Sequence, residues 1–451
     1  MSRRQGRYTA IIALTAVAAF ATGCSSQASD QSTSESGHVD WWGWTPTQSE
    51  VAQGYIDAFN EEYPDIEVVF RQVPINGYDA ALRPALTSPE GPDVFDIAPG
   101  GGIGSLSTFG SSAEDLTPVA EEWLGDDWES KIAANGPAGF TTEDGTLSAL
   151  SVGSTFAGTL WINQDLFDEY GLSAPTTLDA WIEACAVFRE NGHGCLTHGA
   201  GQVAFNQDVL QSISDSVEPG WWSAASRGER EWTDDVFVQT LETWKSLFDE
   251  QIIDDGALGI QQYPDANNVF LSQQSPMVMM GTWYMPNATT ALATASISAA
   301  GVADATPFRM IPIDFPDVAG EGNPSVLFGD ANYGLAVNAN SDAKEAARTF
   351  VGWLTTQADG QQVVADAIND IPSLTGVEPA WDNLDLVDAE LQQPILQDLI
   401  ASTATADEPR LSLISAEMQE AIGVASTTVA EGRATPEEAA ATMQEAVDAL
   451  G

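Results

Sequence analysis

Positive charge is what this chain of 451 residues most lacks: 15 Lys and Arg stand against 66 Asp and Glu, a formal net charge of −51. A field of that sign repels phosphate backbones and anionic headgroups. It excludes nucleic acid as a partner and makes basic pockets for phosphorylated ligands hard to build. Histidine, with three residues, is scarcer still. His38, His193 and His198 are too poorly placed to anchor a Ser–His–Asp triad, and no G-x-S-x-G elbow or Walker-type loop occurs. "DIAPGGGIGS" follows a predicted strand and is glycine-rich, but Ser105 stands where a dinucleotide fingerprint needs its third glycine. Carboxylate pairs are so common that none singles itself out as a glycosidase acid and base. These absences point to a non-enzyme that needs neither cofactor nor metal.

Long apolar runs are missing too, with one exception. "MSRRQGRYTAIIALTAVAAFATGC" opens on Arg3, Arg4 and Arg7 and continues with an apolar run of about fifteen residues, short of the roughly twenty that span a bilayer. It reads as a secretory signal over residues 1–23. The "ATGC" at its end resembles a bacterial lipobox, where cleavage precedes a lipid-bearing cysteine, here Cys24. The Ser-rich stretch that follows has no periodicity and cannot bury a core, so 24–38 reads as a flexible tether. Cysteine is the third scarcity. With Cys24 assigned, Cys185 and Cys195 form an even pair in an oxidising compartment, and a disulfide between them would contribute about 3 kcal/mol. A metal site competes for the same residues, because "CAVFRENGHGCLTH" also holds His193 and His198, though at no recognisable zinc spacing.

Tryptophan, by contrast, is abundant. "HVDWWGWTPTQSE" places Trp41, Trp42 and Trp44 within four positions. Neighbours on a strand point to opposite faces, so the three are not expected to share one core. Trp42 (or Trp41) suits the core, and Trp44 falls in the turn after the strand, where open α/β sheets bind ligands. Thr45, Pro46 and Gln48 then read as a helix N-terminus, and Val51, Tyr55 and Phe59 form the helix's apolar stripe. "IEVVFRQV" and "PDVFDIA" read as further strands, which implies right-handed βαβ crossovers and a mainly parallel sheet. The second half is richer in amphipathic helices. The last of these, "TPEEAAATMQEAVDAL", carries a capping box in Thr435 and Glu438.

Several segments resemble the extracellular solute-binding proteins of ABC importers, the maltose-binding-protein-like sugar binders. They are "WWGWT", "YIDAFNEEYPDIEVVF", "GPDVFDIA", "DGTLSALSVGSTFAGTLWINQDLFDEYGLSAPTTLDAWIEAC", "FLSQQSPMVMMGTWYMP" and "NYGLAVNANSDAKEAARTFVGWLTT". They occur in the family's order, and the "INQDLF…GL…PTTLDAW" stretch is the most specific. The resemblance implies two α/β lobes joined by a hinge, with ligand held between them. The lobes would be 39–153 plus 311–333 and 154–310 plus 334–451, with crossings near Ser154, Met310 and Tyr333. It also implies a carbohydrate ligand, permease subunits as partners, a monomer, and attachment to the outer face of the cell membrane through Cys24.

Trp283, in "MGTW", falls where the family often stacks an aromatic on a sugar. Trp44 and Trp222 (beside Trp221) are further candidate platforms, Gln48, Asp96 and Asp330 candidate rim groups, and Thr155 and Phe156 lie at the first hinge. Phe156 stands where maltose-binding proteins carry a Glu, which puts the identity of the sugar in doubt. A secreted carbohydrate-active enzyme, or a binder of another neutral or cationic solute such as a polyamine, are the alternatives.

Overall fold

The computed structural model describes residues 32–323 and 325–450. The signal segment, Cys24 and most of the tether lie outside the described residues. Two sheets organise the rest. The first contains six strands, in the order β10-β4-β9-β3-β1-β2. They are β1 (Gly37–Gly43), β2 (Ile66–Gln72), β3 (Val94–Ile97), β4 (Leu150–Ala157), β9 (Phe328–Val337) and β10 (Ile371–Pro372). The second, in the order β6-β7-β5-β8, contains β5 (Thr159–Asn163), β6 (Leu196–Thr197), β7 (Met277–Met279) and β8 (Met310–Asp314). The helices that concern the site are α1 (Ser49–Glu62), α2 (Leu178–Glu190), α3 (Val203–Val217), α4 (Asp235–Asp249), α5 (Lys344–Thr356), α6 (Ala358–Ala367), α7 (Ala389–Thr403), α8 (Ala416–Ala430) and α9 (Pro436–Asp448).

The α/β class stands, but the pairing is mixed rather than mainly parallel. β1 runs parallel to β2 and β3, while β9 enters between β3 and β4 antiparallel to both. In the second sheet β6 and β7 are parallel, and β5 is antiparallel to β7 and β8. The antiparallel pairs arise because the chain leaves one sheet and comes back. β4 passes into β5 through Gly158 alone (φ +98°), where a Cβ would lie 2.3 Å from the Val326 carbonyl oxygen. The chain returns between Asp314 and Phe328, and it leaves the first sheet again after Pro372.

The lobe boundaries therefore differ from the expected ones. Residues 311–314 belong to the second sheet, while all of β9, α5, α6 and β10 belong with the first, whose core includes Phe350, Leu354 and Val364. Sequence pattern does not show with which distant strand β9 pairs. The tether is also shorter than expected. Gly37 and His38 already belong to β1, and the Ser34 carbonyl accepts a hydrogen bond from Thr349 of α5.

The middle of the first sheet is covered on both faces, and every residue of β4 is buried, Ser151, Ser154 and Thr155 included. This is why Trp41 and Trp42, on opposite faces, are both buried in one core, against expectation. Val51, Tyr55 and Phe59 line the buried face of α1 as their spacing predicts. The Thr435–Glu438 capping box forms at the start of α9. Thr45 does not cap α1, which starts at Ser49. Its backbone N–H instead donates to Asp96, and its bond to Pro46 is cis. The second lobe has its own core, in which α2, α3, α4, α8 and α9 bury Trp181, Trp244 and Met443. Cys185 of α2 and Cys195 are joined in a disulfide with Cα atoms 5.1 Å apart.

Next to β10, Asp370 is buried among amides. It accepts hydrogen bonds from Asn332 Nδ2 (2.7 Å) and Asn369 Nδ2 (2.6 Å), and burial pushes its carboxyl up to about 6. An unfolded Asp titrates near ~3.9. The native state thus holds this proton more tightly, and the associated stability is lost as pH rises from about 4 through about 6. The expected cost at neutral pH is up to roughly 3 kcal/mol. Denaturant midpoints of the parent and Asp370→Asn, compared across this range, should diverge with pH. A pH-independent difference between the two would refute the assignment.

Candidate functional site

The turn after β1 is built around one carboxylate. Asp96 of β3 is wholly buried and accepts hydrogen bonds from Trp41 Nε1 (2.8 Å), Trp44 N (3.0 Å) and Thr45 N (3.3 Å). Burial pushes its carboxyl well up, and the three donors work in the opposite direction. Gly43 is required here, because a Cβ would sit 2.3 Å from a carboxylate oxygen of Asp96. With its backbone fixed in this way, the indole of Trp44 stands edge-on to Tyr78 at 4.9 Å and stays partly exposed. It also covers Gly104, where a Cβ would meet the ring at 2.6 Å. Gln48, half-buried and just before α1, accepts a hydrogen bond from Thr47 Oγ1.

Trp283 occupies the matching place on the second lobe. The turn that carries it is stitched to the first chain crossing. Phe156 N donates to Thr282 Oγ1 (2.9 Å), Thr159 Oγ1 to the Met280 carbonyl (2.7 Å), and Trp161 Nε1 to the Gly281 carbonyl (3.0 Å). Its indole lies 6.2 Å from Phe205 of α3, which is 6.0 Å from Tyr263, and beneath the guanidinium of Arg410, 4.6 Å from the ring centroid. Trp283 too is partly exposed.

Two contacts between the lobes involve segments close in the chain to residues that pack near these indoles. Asn76, just before Tyr78, donates from Nδ2 to Gln261 Oε1 (3.3 Å), two residues from Tyr263. On the other side, the glycine-rich loop that ends at Trp44's neighbour Gly104 lies against the segment after Arg410. Gly101 N donates to the Ile414 carbonyl (3.3 Å). A Cβ at Gly100 would come 2.5 Å from the Leu411 carbonyl oxygen, and one at Gly101 2.6 Å from Ala416 N. The "PGGGIGS" run is thus a surface on which two backbones meet, which accounts for its glycines without a nucleotide.

The other expected contacts fare differently. Asp330 of β9 has its carboxylate occupied by the backbone N–H groups of Arg410 and Ser412 (both 3.0 Å), that of Leu411, and the Ser412 hydroxyl (2.7 Å). It is a structural clamp, as is Asp96. Thr155, which pairs with Asp330 across the sheet, and Phe156 are both buried in β4. Trp222 is 1 % exposed and packs at 5.1 Å on Trp232, with Trp221 alongside, so neither can offer a face to a ligand. Their neighbours Trp232 and Phe237 lie too far along the chain for the pattern to reveal this packing. His193 approaches the Gln273 carbonyl through Nδ1 (3.1 Å) and Tyr170 Oη through Nε2 (3.2 Å). Its nitrogens and both cysteines are therefore engaged, and the disulfide displaces the metal reading. Sequence reasoning missed Arg410, Asp208, Phe205, Tyr263 and Asn76. The one available signal was that a cation is a rare residue in this chain.

Two sheets with separate cores, joined by repeated crossings and meeting across a shared space, define the periplasmic-binding-protein-like class. The family model for bacterial extracellular solute-binding proteins matches residues 43–361, and the chain belongs to that family. It is similar to the mannitol-binding protein of Pseudomonas aeruginosa (25% identity over 330 residues, 68% of this chain). It is also similar to the melibiose/raffinose/stachyose-binding protein MelE of Bacillus subtilis (23% over 191 residues, 42% of this chain). The matches span 66% and 42% of those two relatives' own lengths. Among solved structures, maltose-bound MalE3 of T. maritima superposes with a TM-score of 0.68 at 18% identity, covering 92% of this chain and all of that one. Among the described residues, no helix is long and apolar enough to cross a membrane.

The contact at Gly101 can be tested directly. A side chain there meets backbone that cannot yield, so Gly101→Val should hold the lobes apart. Small-angle scattering of the variant should give a larger radius of gyration than the parent, with a near-parental denaturant midpoint. Identical radii would mean that the loop, rather than the lobe, gives way.

Proposed function

We propose that this protein is the substrate-binding subunit of an ABC importer. It holds a mono- or oligosaccharide between its lobes and delivers it to membrane permease subunits. It works as a monomer, lipid-anchored through Cys24 on the extracellular face of the cell membrane. The observation that supports the reading is that each lobe carries a partly exposed indole in a turn after a strand, Trp44 after β1 and Trp283 after β7; in this reading both face the ligand between the lobes. The axial C–H faces of a sugar suit an aromatic ring, while its hydroxyls need polar partners around the rim, for which Gln48, Asn76 and Gln261 stand nearby. Relatives named for melibiose, raffinose, stachyose and mannitol support a polyhydroxylated ligand.

The alternatives draw less support. A glycosidase needs a free carboxylate pair, whereas Asp96 and Asp330 are saturated by donors from their own surroundings. A polyamine would approach a Trp283 ring that already carries a guanidinium.

Thermal-shift measurements with melibiose, raffinose, stachyose, mannitol and maltose test the class of ligand. A cognate sugar at 100 times its dissociation constant should stabilise the fold by about 2.7 kcal/mol. For that sugar, Trp283→Ala and Trp44→Ala should each lose roughly 2 kcal/mol of affinity by calorimetry, with unchanged denaturant midpoints. Parental affinity in Trp283→Ala would remove the platform from the site. Intact mass of protein extracted from its own envelope should show acyl chains on Cys24, and Cys24→Ser should release the protein into the medium. An unacylated, membrane-retained protein would contradict the anchor.

A further inference from the structure

Arg410 combines three features that are rare in this chain: it is a cation, it is buried, and it touches an aromatic of the candidate site. Its side chain is 12% exposed, and its ion-pair partner Asp208 of α3 is 1% exposed. The pair is bidentate, Nε to Oδ1 and Nη2 to Oδ2, both 2.7 Å. Two parallel bonds fix the plane of the guanidinium as well as its position, which a lysine ammonium cannot do. Asp208 and Asp330 hold the guanidinium firmly charged against its burial. Its central carbon lies over the Trp283 ring, 4.6 Å from the centroid, and 5.8 Å from that of Phe205.

The backbone that carries Arg410 is held as firmly as its side chain, and from both lobes. On the first-lobe side, Asp330 of β9 gathers the N–H groups of residues 410–412, and Gly329 N donates to the Glu408 carbonyl (2.8 Å). On the second-lobe side, Gln207 of α3 donates from Nε2 to the Arg410 carbonyl and Gln211 Nε2 to the Pro409 carbonyl (3.2 Å). Residues 408–412 are therefore a strap sewn to β9 on one edge and to α3 on the other. From this strap the Arg410 side chain reaches the ring of Trp283.

We propose that Arg410 is the positioning residue of the Trp283 platform. By stacking on one face of the indole it holds the ring in a single orientation and leaves the remaining exposed surface for one sugar ring. The strap makes that orientation depend on the seating of β9 against α3. The ligand is thus stacked by a tryptophan that Arg410 has already placed, and Arg410 itself need not touch it. This inference rests on the sugar-platform reading of Trp283.

A double-mutant cycle between Arg410→Lys and Trp283→Ala tests it, with the sugar that stabilises the parent among melibiose, raffinose, stachyose, mannitol and maltose. Lysine keeps the charge opposite Asp208 but loses the planar stack. Arg410→Lys should weaken binding about tenfold, in the range expected for a desolvated cation–π contact. In the Trp283→Ala background the same change should cost almost nothing. The free protein supplies a readout that needs no ligand: Arg410→Lys should change the near-ultraviolet circular dichroism of the indoles, and that change should vanish in Trp283→Ala. Should Arg410→Lys fold poorly, the pair Arg410→Gln with Asp208→Asn removes both charges together and leaves neither buried alone.

Parental affinity in Arg410→Lys overturns the proposal. A tenfold loss that persists without Trp283 also overturns it, since Arg410 would then act on the ligand by itself. If Trp283→Ala binds like the parent while the dichroism change still depends on Trp283, the platform reading has failed and the Arg410–indole contact has survived. If affinity falls in Trp283→Ala but the dichroism change does not depend on Trp283, the contact has failed and the platform has survived.

Discussion

A chain with 66 acidic and 15 basic residues cannot give its buried carboxylates cationic partners, and much of this architecture follows from that constraint. A buried carboxylate left alone is costly, and backbone N–H groups are the donors that every residue but proline supplies. Asp96 takes the amides of Trp44 and Thr45, and Asp330 takes those of residues 410–412. The partly exposed Asp254 and Asp317 use the same donors, the N–H of Cys195 and those of Gly320 and Gly322. Each carboxylate collects a turn or strap around itself, so acids that look from composition like solvated surface act as fasteners for loops. Asp208 is an exception, with a guanidinium for partner, and that guanidinium lies over Trp283.

What could be read beforehand was what local pattern controls. The stripe of α1, the capping box of α9, the strand nature of β1 to β3 and the cysteine pair all depend on residues near one another in the chain. The turn position of Trp44 was legible for the same reason, because a strand followed by a helix fixes what lies between. β9 was the main failure. Its apolar run is a strand under any reading, but its place between β3 and β4 depends on partners 180 to 240 residues away, roughly, and no local rule encodes that.

The site was only half legible, and the errors share a cause. The family resemblance offers Asp96 and Asp330 as rim groups for a ligand, but it does not show what else engages them. Their partners are backbone groups, which a sequence does not distinguish. Trp222 looked like a free aromatic because Trp232 and Phe237, which cover it, lie on the far side of a turn. Arg410 stands in "DEPRLS", a stretch without periodicity, and nothing local marks it. The family pattern pointed to Trp283 but not to the cation above it.

The same charge imbalance bears on how the lobes meet. Two lobes of a chain whose formal net charge is −51 repel on approach, over a screening length of about 8 Å at physiological salt. Contacts of opposite charge would compensate, but the chain has few cations to place there. The observed contacts between facing loops avoid charge instead. One is an amide on an amide, Asn76 on Gln261, and the other is bare backbone, Gly100 and Gly101 on residues 411–416. Such contacts are weak and short-ranged, because a single neutral hydrogen bond contributes only about 1 kcal/mol net. They can set where the lobes come to rest without holding them shut. The balance is then open to a ligand that binds both lobes, because such a ligand favours the state in which the lobes are together.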